Sequence, residues 1–233
     1  MKSLLTAASS LLLAAGILMA ETPQERLRSS AEIFGEIMQA PDKGIPHELL
    51  ESTQCVVILP GVKKAAFVVG GEYGRGFAEC RRARGAGWSA PAAFKLEGGS
   101  LGFQIGGSST DLILLVKNRS GMEKLLSDKF TLGGDASVAA GPVGRTAAAQ
   151  TDLQMKAEIL AWSRAQGVFA GVSLKGAVLH PDEDVNEVLY GHRLNNREIL
   201  NGDVRPPEAA RRLTAELERY SPRREGEADR ERR

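Results

Sequence analysis

Apolar positions recur with two different periods along the chain, three-to-four at its ends and two through its middle. Leu27, Ala31, Ile33, Phe34, Ile37 and Met38 form one stripe at helical spacing, which predicts a helix over 23–40. Thr22 is placed to N-cap it, Pro23 suits its first turn, and Gln24 and Glu25 favour its positive end. Pro41-Asp42-Lys43-Gly44 ends that helix, and Ile45-Pro46 opens a short second one reaching Leu50.

From Gln54 the pattern is that of strands. CVVILPG reads as a buried strand closed by Pro60-Gly61, and AAFVVGG pairs with GRGFAEC around a turn at Gly70 to Gly74. Arg81 to Gly85 is a basic turn. WSAPAAFKLE is a strand whose Pro91 predicts an edge or a bulge. LGFQIGG, TDLILLVK, Met155 to Trp162 and VFAGVSL supply further strands, with a short helix in SGMEKLLSDKF. Helical spacing then returns in Glu183–Tyr190, Asn195–Leu200 and an amphipathic Pro207–Tyr220. Residues 221–233 are nearly all charged and predict a disordered tail. The expected fold is a single α+β domain, a Gly-rich, mainly antiparallel, barrel-like sheet flanked by short helices.

Composition alters this picture at the N-terminus. Lys2 precedes an uncharged run from Leu4 to Ala20 that ends in Leu-Met-Ala before Glu21. That is the layout of a signal peptide over residues 1–20, with an uncleaved anchor as the alternative, since about 17 residues is the lower edge for a membrane span. The chain is thus expected to be exported, periplasmic or envelope-associated. Loss of Lys2 takes the formal charge from +1 to 0, which argues against a general nucleic-acid binder. An exported chain can join its two cysteines, Cys55 and Cys80, in a bond worth about 3 kcal/mol. Two buried thiols on strands are the other reading.

The search for reactive chemistry excludes more than it finds. Gly98-Gly99-Ser100-Leu101-Gly102 fits G-x-S-x-G, yet a nucleophile elbow needs a helix after the turn, and a strand pattern follows. It reads as a hairpin turn. Asp182, Asp184 and Asn186 open like a calcium loop, but Glu187 stands where Gly is needed and Arg193 where a bidentate Glu belongs. They suit the first turn of a helix better. Gly70, Gly71, Gly74 and Gly76 lack the phosphate-binding spacing and read as turn glycines. No zinc spacing occurs among His and Cys. The expectation is a protein that is not an enzyme, without catalytic residues, metal or cofactor. Lys63-Lys64 and Arg81-Arg82-Arg84 are the tightest basic clusters. Each is either a solvated turn or a contact for anionic headgroups, worth about 1 kcal/mol per basic residue.

The Gly- and Ala-rich stretch from Leu132 to Val172 carries the remaining information. Thr131-Leu132-Gly133-Gly134-Asp135 leads into Ser137-Val138-Ala139-Ala140-Gly141-Pro142-Val143-Gly144-Arg145, followed by Trp162-Ser163-Arg164 and Gly167-Val168-Phe169-Ala170-Gly171-Val172-Ser173. With Gly44-Ile45-Pro46, Lys64-Ala65-Ala66-Phe67, Gly74-Arg75-Gly76, Trp88-Ser89-Ala90-Pro91, Gly102 to Gly106 and Tyr190-Gly191, this resembles the SYLF domain family over about residues 23–200. The resemblance implies a non-enzymatic lipid-binding module, of phosphoinositide or phospholipid headgroups, in an exported bacterial-type member. Domain limits follow as 21–200 for the SYLF-like domain and 201–220 for a C-terminal helix. Arg26, Arg28, Lys63, Lys64, Arg81, Arg82 and Arg84 are the expected contacts to an anionic lipid or membrane surface, and the apolar stripe of the first helix either lies on that membrane or packs on the domain's own sheet. The alternative is a structural or protein-interaction module of the envelope without lipid. Asp135 and Arg145 are expected to serve as an ion pair or a cap.

Overall fold

The structure is a computed structural model and describes residues 21–40, 44–66, 69–82, 87–101, 106–142, 156–165, 168–169, 174 and 176–222. The expected signal run, Arg84, Arg145 and the tail from 223 lie outside the described residues. The described strands are β1 (Cys55–Ala66), β2 (Val69–Cys80), β3 (Ala92–Leu101), β4 (Gly106–Val116), β5 (Phe130–Thr131), β6 (Val138–Ala140), β7 (Ile159–Ala165), β8 (Val168–Phe169) and β9 (Val178–Pro181). They form one sheet in the order β5-β9-β3-β2-β1-β4-β7-β6, with β8 on β7, and only β6 runs parallel to its neighbour. β1, β2 and β3 meander while β4 returns beside β1, a Greek-key arrangement. The sheet curls into a half-barrel, so the expected α+β class and mainly antiparallel sheet are what the chain adopts.

Alternation along the central strands feeds two cores. Cys55, Val57 and Leu59 face one way, onto α3 (Arg119–Leu125), α5 (Asn196–Asn201) and Phe130, Leu132 and Leu174. Val56, Ile58, Phe77, Ile113 and Trp162 face the other way. They lie beneath α1 (Pro23–Gln39), α2 (His47–Glu51) and α6 (Arg211–Tyr220), with α4 (Glu183–Tyr190) at the margin. Burial on both faces explains why CVVIL and LILLV are continuous apolar runs.

α1 starts on a capping box: Glu25 N–H donates to Thr22 Oγ1 at 3.2 Å, and Thr22 N–H donates to Glu25 Oε2 at 2.8 Å. Its stripe of Leu27, Ala31, Phe34 and Ile37 is buried against the sheet and α6. Of the two readings of that stripe, packing on the sheet is the one the chain adopts. The area needed for insertion is already used in the domain's own core.

Two strand expectations are corrected by one bulge. β1 does not stop at Pro60-Gly61 but passes through it, with a register shift between Ile58 and Lys63. Gly61 takes a φ of +54°, and its N–H donates to Asp111 Oδ1 at 3.0 Å. β2 must then approach the bulge closely: a Cβ on Gly76 would stand 1.9 Å from Ile58 O, and one on Gly74 2.8 Å from Val62 Cγ2. These are strand glycines, not turn glycines. Likewise Gly98 to Leu101 belongs to β3 rather than to a hairpin turn. Pro91 only precedes β3, which lies inside the sheet between β2 and β9.

Cys55 and Cys80 are direct cross-strand partners at one end of the β1–β2 pair, and their sulfurs are bonded. Within the Leu132–Val172 stretch, Gly141 lies against the Trp162 indole, where a Cβ would meet ring carbon at 2.1 Å. Trp162 Nε1 donates to Pro142 O at 3.2 Å. Asp135 is a cap, as expected: its Oδ2 accepts the Thr131 N–H at 2.6 Å, and that hydrogen bond holds its carboxyl below the usual range.

Candidate functional site

The described residues contain no group of three His, Cys, Asp or Glu able to hold a metal ion. Gly98 to Leu101 of the G-x-S-x-G run lie within β3, so Ser100 stands on a strand and not at the start of a helix as a nucleophile elbow requires. The calcium-like trio is dispersed. Asp182 Oδ2 lies 3.2 Å from Arg75 Nε, an ion pair without hydrogen-bond alignment. Asn186 is buried, accepting the Ala93 N–H at 2.8 Å and donating to Asn196 Oδ1 at 2.6 Å. Asp184 stays exposed in the first turn of α4.

The basic residues singled out in the sequence do not form one surface. Lys64 is registered opposite Glu72 of β2, and Arg81 follows Glu72 by nine residues. At about 3.3 Å per residue the two clusters are about 30 Å apart, at opposite ends of the same hairpin.

At the disulfide end, Arg81 is only 4% exposed. Its guanidinium lies 4.0 Å from the Trp88 ring centre, Nη1 donates to Ser221 O at 2.7 Å, and Nη2 donates to Ser221 Oγ. Ser221 Oγ in turn donates to Leu50 O at 3.2 Å. Arg81 therefore ties the end of α6 to the sheet, and a headgroup contact through it is withdrawn. Ser221, assigned to the tail by its sequence, is part of this clasp. Arg82 donates from Nε to Trp88 O at 2.8 Å and lies 3.6 Å from Asp203 Oδ1. Beside it, Glu79 is 1% exposed, and among the described residues its carboxyl accepts only from Thr214 Oγ1, at 3.0 and 3.1 Å. Burial pushes that carboxyl well above its ordinary value; Thr214 opposes the shift, Glu218 adds to it and Arg82 opposes it. On α1, Arg26 Nε pairs with Glu21 Oε2 at 3.2 Å, while Arg28 is exposed near Glu25.

At the far end the sheet extends beyond the described helices. Phe77, Ile58 and Ile113 are buried under α1 and α6, but on the same face Ser109, Lys63, Tyr73 and Glu97 form an exposed row across β4, β1, β2 and β3. The next row outward is Gly107, Ala65, Gly71 and Gly99. Lys63 Nζ donates to Ser109 Oγ at 3.0 Å and has no acid within ion-pair distance among the described residues. Lys64, on the opposite face, pairs with Glu72 Oε2 at 2.9 Å. Tyr73, Arg75 and Lys95 share the face of Lys63 and were not singled out in the sequence. Tyr73 and Arg75 lie on β2 and Lys95 on the adjacent β3, about 20 residues on in sequence, and only the period-two alternation around each hinted at a common face.

The family model of Ysc84, described as Las17-binding protein actin regulator, matches residues 97–220, from within β3 to the end of α6. An SH3 domain-containing protein of Schizosaccharomyces pombe is 36% identical over 71% of this chain and 39% of its own length. LAS seventeen-binding protein 3 of Saccharomyces cerevisiae is 33% identical over 80% of this chain and 40% of its own. SH3 domain-containing YSC84-like protein 1 of Homo sapiens is 33% identical over 88% and 59%. The chain thus spans 39% to 59% of the length of these relatives. Their names are those of binding or SH3-containing proteins, not of enzymes.

Proposed function

The chain belongs to the Ysc84, or SYLF, family, and from that premise we propose that it is an exported, non-enzymatic binding protein that contacts anionic lipid headgroups at its surface. The supporting observation is Lys63. Among the described residues its ammonium has no acidic partner, and it is exposed on a part of the sheet that no described helix covers. A surface contact is favoured over carriage of a lipid inside the fold, because one face of the sheet is filled by residues such as Leu125, Phe130 and Ile199 and the other by residues such as Phe34, Trp162 and Leu213. Two features support export to the periplasm or envelope: the uncharged run from Leu4 to Ala20, and a disulfide of the kind that persists in oxidising compartments.

Mature protein should co-sediment with phosphatidylcholine vesicles that contain phosphatidylserine and not with phosphatidylcholine alone, and added salt should weaken the binding. Equal recovery with both vesicles at low salt would sink the electrostatic reading. A chain recovered from the cytoplasmic fraction with residues 1–20 attached would remove the export step. The relatives' names favour a second reading, a protein-interaction module of the envelope without lipid. A pull-down from membrane extract that yields a stoichiometric protein partner, with no vesicle binding, would establish it instead.

A further inference from the structure

Resting on that lipid reading, we propose that the membrane contact is one face of the sheet extension, formed by Lys63, Tyr73 and Lys95 with Tyr73 at headgroup level, and that neither the first helix nor the Arg82 end takes part. Among the described residues only two large apolar side chains are exposed, Tyr73 at 44% and Val188 at 61%. Val188 stands alone on α4. Tyr73 sits in the middle of the bare face, with Lys63 registered beside it on β1 and Glu97 on β3. Outward from it on the same face, Gly71 and Gly99 are exposed and carry no side chain.

Charge distinguishes this face from its reverse. Lys63, Arg75 and Lys95 meet Glu97 and Asp182, leaving one positive charge in excess. On the reverse of the same strands Lys64 and Glu72 cancel. The Arg75 guanidinium lies 5.7 Å from the Tyr73 ring centre while paired to Asp182, so it holds the ring in place, and the freer cations are the two lysines. Lys95 Nζ is 3.9 Å from Glu97 Oε1, a long and exposed pairing that an anionic headgroup competes with readily. A single tyrosine among cations is a poor core for a protein interface, which wants a desolvated apolar centre. It suits the headgroup layer, where an aromatic ring with a polar tip is favoured and basic side chains find anions. The alternative inserting element, α1, has its apolar stripe in the domain core.

The test uses mature protein and phosphatidylcholine vesicles with and without phosphatidylserine. Lys63→Gln and Lys95→Gln should each weaken partitioning about 5-fold, and together about 25-fold. Arg119→Gln, on α3, should leave it unchanged. Tyr73→Trp adds a site-specific signal, because both native tryptophans are buried. Its emission should shift to the blue with anionic vesicles and stay fixed with neutral ones, a readout that does not depend on loss of binding. If wild-type protein binds but only Arg28→Gln or Arg82→Gln weakens it, or the emission of Tyr73→Trp does not move, the face is wrong while the lipid reading stands. If wild-type protein binds neither vesicle, both fail together.

Discussion

Replacing Glu79 with Gln tests how the C-terminal helix is held against the sheet. The Glu79 carboxyl lies between β2 and α6, 1% exposed, with both oxygens within 3.1 Å of the Thr214 hydroxyl. One hydroxyl proton cannot compensate an ionised carboxylate for the water it has lost, so burial dominates and its folded-state pKa rises well above 4.5. The unfolded chain has the ordinary value. Stability from this group is therefore fully present below about pH 4.5 and is lost as pH rises through the folded-state value. Within that window each pH unit removes about 1.4 kcal/mol, since one proton separates the two states.

The Glu79→Gln variant keeps the shape and an acceptor for Thr214 but cannot ionise. Urea unfolding, with the disulfide intact, would be followed for both proteins from about pH 4 to about pH 8. The difference between them isolates Glu79, because all other titrating groups are shared. It should be smallest at the acid end and widen in the variant's favour by about 1.4 kcal/mol per pH unit until the wild-type carboxyl ionises. Thr214→Val removes the one donor and should extend the window to higher pH. Parallel curves for wild type and Glu79→Gln would refute the reasoning, for they would mean that Glu79 binds its proton equally in both states.

Two further outcomes follow from the sheet. Reducing the Cys55–Cys80 bond, which closes a separation of 25 residues, should lower unfolding stability by about 3.5 kcal/mol on the chain-entropy model, and an unchanged urea midpoint in reductant would count against it. Gly76→Ala should lower stability by about 1–3 kcal/mol because the β1 bulge must move, whereas Gly99→Ala, with nothing within 4 Å of its Cβ, should be near neutral; equal melting temperatures for the two would show that the bulge yields freely.

Periodicity made most of the elements legible, because a stripe such as Leu27 to Ile37 has one place to go in a small domain. It failed where backbone geometry, not side-chain pattern, decides. Pro60-Gly61 reads as a stop in any strand, and only the Asp111 carboxylate on Gly61 N–H, fifty residues away, lets β1 continue. Gly74 and Gly76 then look like turn residues, although what they provide is room for the opposite strand. The cysteines left two readings open for a similar reason: whether Cys55 meets Cys80 depends on a register that the bulge sets. Family-like residues between 131 and 162 were recognisable before their purpose was, and the contact of Gly141 with Trp162 supplies a physical reason for one of them.

The basic residues carry the sharpest lesson, since in sequence Arg81 and Lys63 look interchangeable. What separates them is what each would have to give up to meet a ligand. Arg81 would leave two hydrogen bonds to Ser221 and its stack on Trp88, all buried. Hydrogen bonds to a charged group contribute about 1.5–3 kcal/mol each, so release costs roughly 3–6 kcal/mol before the stack is counted. An anionic surface returns about 1 kcal/mol per basic residue. Lys63 would give up only an exposed bond to Ser109, which water replaces at little cost. The same one kilocalorie therefore leaves Arg81 in place and is enough to engage Lys63, which puts any headgroup contact at the bare end of the sheet and leaves the other end to hold α6.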